Sequence, residues 1–187
     1  GFDANRCGRF PADRGRNRAV TDPYEPGSTF KIVTVAAALD DRLVRPSTAF
    51  TLPYSIEVSD RVIHDAEERG TERMTVSEIL SRSSNVGAIT LALQLGKERL
   101  AWWINRFGFG HETGVDFPGE SPGIVLPPEQ WTGSSIGNMP IGQGIAVTPL
   151  QMVSVYAAIA NGGTWIEPHL VERIGGRELA EPARRRI

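Results

Sequence analysis

Between Phe30 and Leu39 the only polar side chains are Lys31 and Thr34. Phe30, Val33, Val35, Ala36, Ala37 and Leu39 put so much apolar surface into a short stretch that a helix over about 28–41 belongs inside the fold. Pro26-Gly27 is a turn signal directly before it. The rest of the chain offers mostly helices to cover it. Thr75-Val76-Ser77-Glu78 is a capping box that opens a short helix through Leu80. A further helix is predicted over 85–95, stopping at Gly96, and the next places Leu100, Trp103, Ile104 and Phe107 on one face before Gly108. Thr148-Pro149-Leu150-Gln151 restarts helix with an N-cap, a first-turn proline and Gln at N3. Its apolar face is expected on Leu150, Val153, Ala157 and Ala160, and Asn161-Gly162-Gly163 closes it.

Strand signals are few. Residues 55–58 and 61–64 alternate around Ser59-Asp60 as a short hairpin, and 169–174 reads as a strand with Gly175-Gly176 as its turn. Residues 1–27 and 110–145 are rich in Gly and Pro and read as loop, and there is no internal repeat. The predicted class is helix-dominated α+β. With 187 residues, the chain fits one domain or a large piece of one: a loop-rich lead-in over 1–27, a helical core over 28–163, and a strand and tail over 164–187.

Composition removes several functions. Twenty Lys and Arg against 22 Asp and Glu give a net charge of −2, which excludes nucleic-acid binding by bulk positive charge. Cys7 is the single cysteine, so an internal disulfide or a multi-thiolate metal site within this chain is excluded. His64, His111 and His169 show no ligand spacing, and no cofactor is expected. No run of 18 apolar residues and no signal peptide occur, so a membrane address, if the protein has one, lies upstream.

The chemistry is concentrated in Tyr24-Glu25-Pro26-Gly27-Ser28-Thr29-Phe30-Lys31. Ser28 and Lys31, three apart at a helix start, share one helical face. A serine hydroxyl becomes a nucleophile when a neighbouring base takes its proton, and desolvation plus the positive helix end favour the neutral amine that a lysine base requires. Backbone N–H groups at the same helix start suit an oxyanion. With twelve serines and two lysines in the chain, one Ser-x-x-Lys is expected by chance about 0.1 times. The second motif is Ser83-Ser84-Asn85, between two helices. There a hydroxyl can relay a proton and an amide can bond both lysine and substrate; the alternative use of these residues is to cap the helix beginning near Asn85.

Ser-x-x-Lys followed by Ser-x-Asn belongs to the signature of penicillin-binding proteins and serine β-lactamases. The flanks sharpen the match. Asn17-Arg18-Ala19-Val20, Ile141-Gly142-Gln143-Gly144-Ile145, Thr148-Pro149-Leu150-Gln151-Met152 and Ala160-Asn161-Gly162-Gly163 resemble a class B penicillin-binding protein, the D,D-transpeptidase of division or elongation, over nearly the whole chain. The resemblance implies the helical part of that transpeptidase domain, with most of its central antiparallel sheet outside this chain. It implies that Ser28 is acylated by a stem peptide ending in D-Ala-D-Ala or by penicillin and other β-lactams, and that Lys31 is the general base. It also implies that Ser83 passes the proton to the departing D-alanine, and that Asn85 orients Lys31 and binds the substrate amide. Ser84 is given no role, and Gly142-Gln143-Gly144 only packing significance. A membrane glycosyltransferase partner and a place on the outer side of the bacterial cell membrane are implied for the intact protein.

The third family motif, Lys-Thr-Gly, does not occur, since Lys97 is followed by Glu98. An internal section of the domain, weakly active or inactive alone, is therefore expected. Two alternatives remain. A β-lactam sensor or non-catalytic relative that binds cell-wall partners would share Ser28 and Lys31. A serine β-lactamase of class A would carry a Glu four residues before an Asn, and none is present.

Overall fold

The computed structural model describes residues 15–178 and 180–187. In chain order these form α1 (Arg18–Thr21), a 3-10 turn (Gly27–Phe30), α2 (Lys31–Asp40), β1 (Ala49–Leu52), β2 (Ser55–Val58), β3 (Arg61–His64), β4 (Glu72–Thr75), α3 (Val76–Ser81), α4 (Asn85–Leu95) and α5 (Lys97–Arg106). A long irregular stretch leads to α6 (Ser135–Asn138), a 3-10 turn (Met139–Ile141) and α7 (Pro149–Ala160). Then come β5 (Thr164–Ile166), β6 (Arg173–Ile174), β7 (Arg177–Glu178) and β8 (Arg184–Arg186). Among the described residues the strands make four separate antiparallel pairs, β1–β4, β2–β3, β5–β8 and β6–β7. This is a helix-dominated α+β arrangement.

The apolar segment is indeed central. Helix α2 buries Lys31, Val33, Thr34, Val35, Ala37 and Ala38, and it packs against α3, α4 and α5. Helix α4 contributes Val86, Leu91 and Ala92, and α5 contributes Leu100, Trp103 and Ile104, to the same core. Phe30 and Phe109 meet within it at a ring separation of 5.1 Å. Both capping boxes form: Thr75 exchanges bonds with Glu78 at the start of α3, and Thr148 with Gln151 at the start of α7. The hairpin pairs Val58 with Arg61 and Ser55 with His64, as the alternation predicts. Its base is closed by the Asp65 N–H donating to the Tyr54 carbonyl at 3.1 Å.

Four expectations need correction. The expected helix over 28–41 begins as a 3-10 turn and becomes α-helical at Lys31. The loop expected over 1–27 contains α1, capped by Asn17, while 1–14 lie outside the described residues. The loop expected over 110–145 contains α6 and two 3-10 turns. The strand expected over 169–174 is only β6, because the N–H groups of Leu170 and Val171 donate to the Asp116 carboxylate at 2.6 and 2.9 Å instead of to a neighbouring strand.

The buried face of α7 also differs from Leu150, Val153, Ala157 and Ala160. Val153, Ala157 and Ala160 are exposed, and Gln151, Met152, Ser154, Val155 and Ala158 face inward. Helix α7 is apolar nearly all round, so periodicity alone selects no face. Gln151 selects it: its side chain accepts from the Thr148 N–H and donates to the carbonyls of His111 and Pro122, which permits a polar group to be buried. Val155→Thr should therefore destabilise the protein by about 1–3 kcal/mol by burying a hydroxyl, whereas Val153→Thr should leave stability within about 0.5 kcal/mol. Thermal melts of the two variants check this, and equal losses would contradict the assigned face.

Candidate active site

Ser28 is exposed on the 3-10 turn, and the Lys31 N–H donates to its carbonyl. The turn is held from several sides. Thr29 donates its hydroxyl to the Pro26 carbonyl at 2.7 Å, and Tyr156 of α7 donates its own to the Thr29 carbonyl at 2.9 Å. The Gly27 N–H donates to the Gly142 carbonyl at 3.0 Å, and the Gly144 N–H to the Glu25 carboxylate at 2.8 Å. Gly142 has φ +75, and a Cβ there would come within 2.2 Å of the Gly27 carbonyl oxygen. Two glycine backbones thus lie against each other next to Ser28. The packing significance expected of Gly142 has this physical form.

Lys31 is 1% exposed. A buried ammonium requires acceptors, and Ser83 provides two: the Lys31 Nζ donates to its carbonyl and, at 2.9 Å, to its hydroxyl. Burial lowers the Lys31 pKa to about 8, with the Asp65 carboxylate acting in the opposite direction. At pH 7 about one Lys31 in ten is then neutral.

The two acceptors point the same way because of how α3 ends. The Ser83 N–H donates to the Leu80 carbonyl and the Ser84 N–H to the Ile79 carbonyl, which is the paired bonding of a Schellman motif. The residue after the C-cap in that motif is left-handed and usually glycine. Here it is Ser83, at φ +56. Its left-handed backbone costs about 1–2 kcal/mol for a residue with a Cβ.

Ser84 is the N-cap of α4: its hydroxyl accepts from the Gly87 N–H at 2.9 Å and donates to Asp65. The Asn85 amide donates to the His64 carbonyl at 2.7 Å. Among the described residues the expected contact between Asn85 and Lys31 does not form: the Asn85 amide is turned to His64, and the acceptors of Lys31 belong to Ser83. The capping use of the Ser83-Ser84-Asn85 segment therefore falls to Ser84, and the lysine contact to Ser83. Sequence reasoning missed Asp65 entirely. Its available signal was an acid with Arg69 at i+4 just after a strand.

The site thus combines an exposed serine on a braced turn, a buried lysine of lowered pKa, and a hydroxyl bonded to that lysine. Residues 3–186 match the family model of the penicillin binding protein transpeptidase domain, and the chain belongs to that family. More narrowly, its relatives place it among the transpeptidase domains of class B penicillin-binding proteins. It is 42% identical over 156 residues to penicillin-binding protein PbpB of Mycobacterium tuberculosis, covering 83% of this chain and 23% of that protein. It is 34% identical over 165 residues to peptidoglycan D,D-transpeptidase FtsI of Escherichia coli, covering 88% of this chain and 27% of that protein. The crystal structure of penicillin binding protein 3 from Mycobacterium tuberculosis superimposes with a TM-score of 0.89 at 38% identity, covering 99% of this chain and 42% of that one. The chain thus spans about a quarter of the length of these curated relatives.

The strain at Ser83 is directly measurable. Ser83→Gly and Ser83→Ala remove the same hydroxyl, but only glycine relaxes at positive φ. Ser83→Gly should be more stable than Ser83→Ala by about 1 kcal/mol in denaturant unfolding. Equal stability, or a more stable alanine variant, would show that the backbone is unstrained.

Proposed function

We propose that the protein of which this chain is part is a serine-type peptidoglycan D,D-transpeptidase that is also acylated by penicillin. In this reading Lys31 takes the proton from the Ser28 hydroxyl as its oxygen attacks the carbonyl of the terminal D-Ala-D-Ala bond. The new bond is a Ser28 ester, and the bond that breaks is the peptide C–N. Ser83 passes a proton to the departing D-alanine amine, and Asn85 binds the substrate amide. The amine of a second stem peptide then displaces Ser28 and completes the cross-link. With penicillin the β-lactam C–N bond opens and the nitrogen, now protonated, stays attached to the acyl group.

The observation that carries this reading is Lys31 itself: buried, three residues from an exposed serine, bonded to Ser83 and with its pKa lowered to about 8. Family membership and the two named relatives support the transpeptidase class. The 187 residues contain no Lys-Thr-Gly and span only part of those relatives, so the activity, a place on the extracytoplasmic side of the cell membrane and a glycosyltransferase partner are proposed for the whole protein.

Intact-mass measurement with penicillin tests the assignment. The wild type should gain one penicillin mass, and Ser28→Ala none; an undiminished adduct in Ser28→Ala would sink it. Lys31→Arg should slow acylation by about 100- to 10,000-fold, because guanidinium cannot act as a neutral base. Near-normal rates in that variant would remove Lys31 as the base. The wild-type rate should climb as pH rises through about 8, where Lys31 loses its proton. A rate flat across that range would contradict the proposed base.

A further inference from the structure

Behind the Lys31–Ser83 contact lies a carboxylate that no part of the proposed mechanism uses. Asp65 follows the β2–β3 hairpin and is 9% exposed. One of its oxygens accepts from the Val86 N–H at 3.0 Å, and the Ser84 hydroxyl lies 3.1 and 3.0 Å from the two oxygens. The second oxygen also accepts from the Arg69 guanidinium, at 3.0 Å from Nε and 2.5 Å from the terminal nitrogen. Arg69 is anchored in turn on the carbonyls of Leu52, Pro53 and Gly70. Burial pushes the Asp65 carboxyl up. The Val86 N–H, Arg69 and the Ser84 hydroxyl outweigh it and hold the group below its ordinary range.

These bonds join three pieces of chain at one point. The hairpin supplies Asp65, the α3–α4 junction supplies Ser84, and the first turn of α4 supplies Val86. Ser83 sits immediately before Ser84, in a backbone conformation it would not choose alone. Something must hold the junction in place against that strain, and the Asp65 bonds to Ser84 and Val86 on its α4 side are suited to do so. We propose that Asp65 is a positioning residue for acylation, fixing the α3–α4 junction so that both Ser83 acceptors stay on Lys31 and placing a negative charge that favours the protonated lysine.

The second half of the role has support in the downward-shifted Lys31, where Asp65 is the charge that opposes desolvation. Among the described residues Asp65 is the charge that acts on Lys31, and charged groups on the neighbouring elements have contacts of their own. Helix α4 and the Met139–Ile141 turn carry none. Near α3, Glu78 caps Thr75 and Arg82 pairs with Glu72. Before the Ser28 turn, Glu25 accepts from Gly144. On α5, Arg99 pairs with Asp41, Lys97 with Glu98, and Arg106 lies over the Trp102 ring.

The role rests on Ser28 and Lys31 acting as proposed, and the experiment separates the two claims. Second-order acylation by a fluorescent penicillin is followed in the intact protein from about pH 6 to about pH 10, for wild type, Asp65→Asn and Ser84→Ala, with melting temperatures alongside. Asp65→Asn removes the negative charge, while Arg69 keeps its ion pair with Glu72 at 3.3 Å. Losing that charge disfavours the lysine cation and weakening the bonds to the junction displaces Ser83, so the midpoint of the pH profile should move to lower pH and the plateau rate should fall about tenfold or more. Loss of stability alone would lower the melting temperature and leave the midpoint in place. A midpoint that stays or rises overturns the proposal. If Asp65→Asn does not fold, Ser84→Ala decides: it keeps the ion pair, so the plateau should drop several-fold at an unchanged midpoint, and an unchanged plateau overturns the proposal. A wild type that takes no penicillin at Ser28 would instead overturn the enzyme reading, and the Asp65 role with it.

Discussion

A lysine enclosed in the middle of a helical core is costly unless every donor it points inward finds an acceptor. Lys31 opens the largely buried helix α2, and both of its acceptors come from one residue of a different segment, Ser83. Much of the arrangement follows from that contact. Helices α3 and α4 must meet beside the first turn of α2, and their junction must expose a carbonyl and a hydroxyl together. A Schellman motif with a serine in the glycine position does this, at the expense of backbone strain. Asp65, Ser84 and Val86 hold the strained junction from behind.

The second constraint acts on the other side of Lys31. Ser28 is exposed, so packing of its own side chain does not fix its position. The turn that carries it is fixed through backbone and neighbours instead: Gly27 against Gly142, Glu25 with Gly144, and Thr29 under Tyr156. This explains why the long irregular stretch before α7 matters. It threads from α5 back to the Ser28 turn and delivers Gly142 at positive φ, where a side chain would collide with Gly27. The exposed serine and the buried lysine are therefore set by different means, one by loop bracing and the other by core packing.

Much of this is legible from residues alone. The burial of α2, the caps at Thr75 and Thr148, the hairpin and the placement of Ser28 and Lys31 three apart where α2 begins rest on local rules of spacing and capping, which the sequence displays directly. The division of labour in Ser83-Ser84-Asn85 is not legible in that way. Which of two adjacent serines caps α4 and which turns toward Lys31 depends on where α3 ends, and helix ends shift by a residue or two without a strong signal. Asp65 escaped for another reason, since the partners that tie it to the α3–α4 junction, Ser84 and Val86, lie 19 and 21 residues on and meet it only after the hairpin folds back. The buried side of α7 was lost because a helix apolar all round has no preferred face until Gln151 finds its carbonyl partners. In each of these cases, tertiary contact decided what local pattern left open.

Family membership gives the class of domain, and the role proposed for Lys31 stands on the protonation state of one amine. The chain has only two lysines, Lys31 and Lys97, so carbon-labelled lysine gives a two-signal NMR spectrum that a single Lys97→Arg variant assigns. Titration of the Lys31 signal tests the central claim most directly. The account predicts a midpoint near pH 8, and a midpoint near the ordinary lysine value of about 10.5 would contradict it.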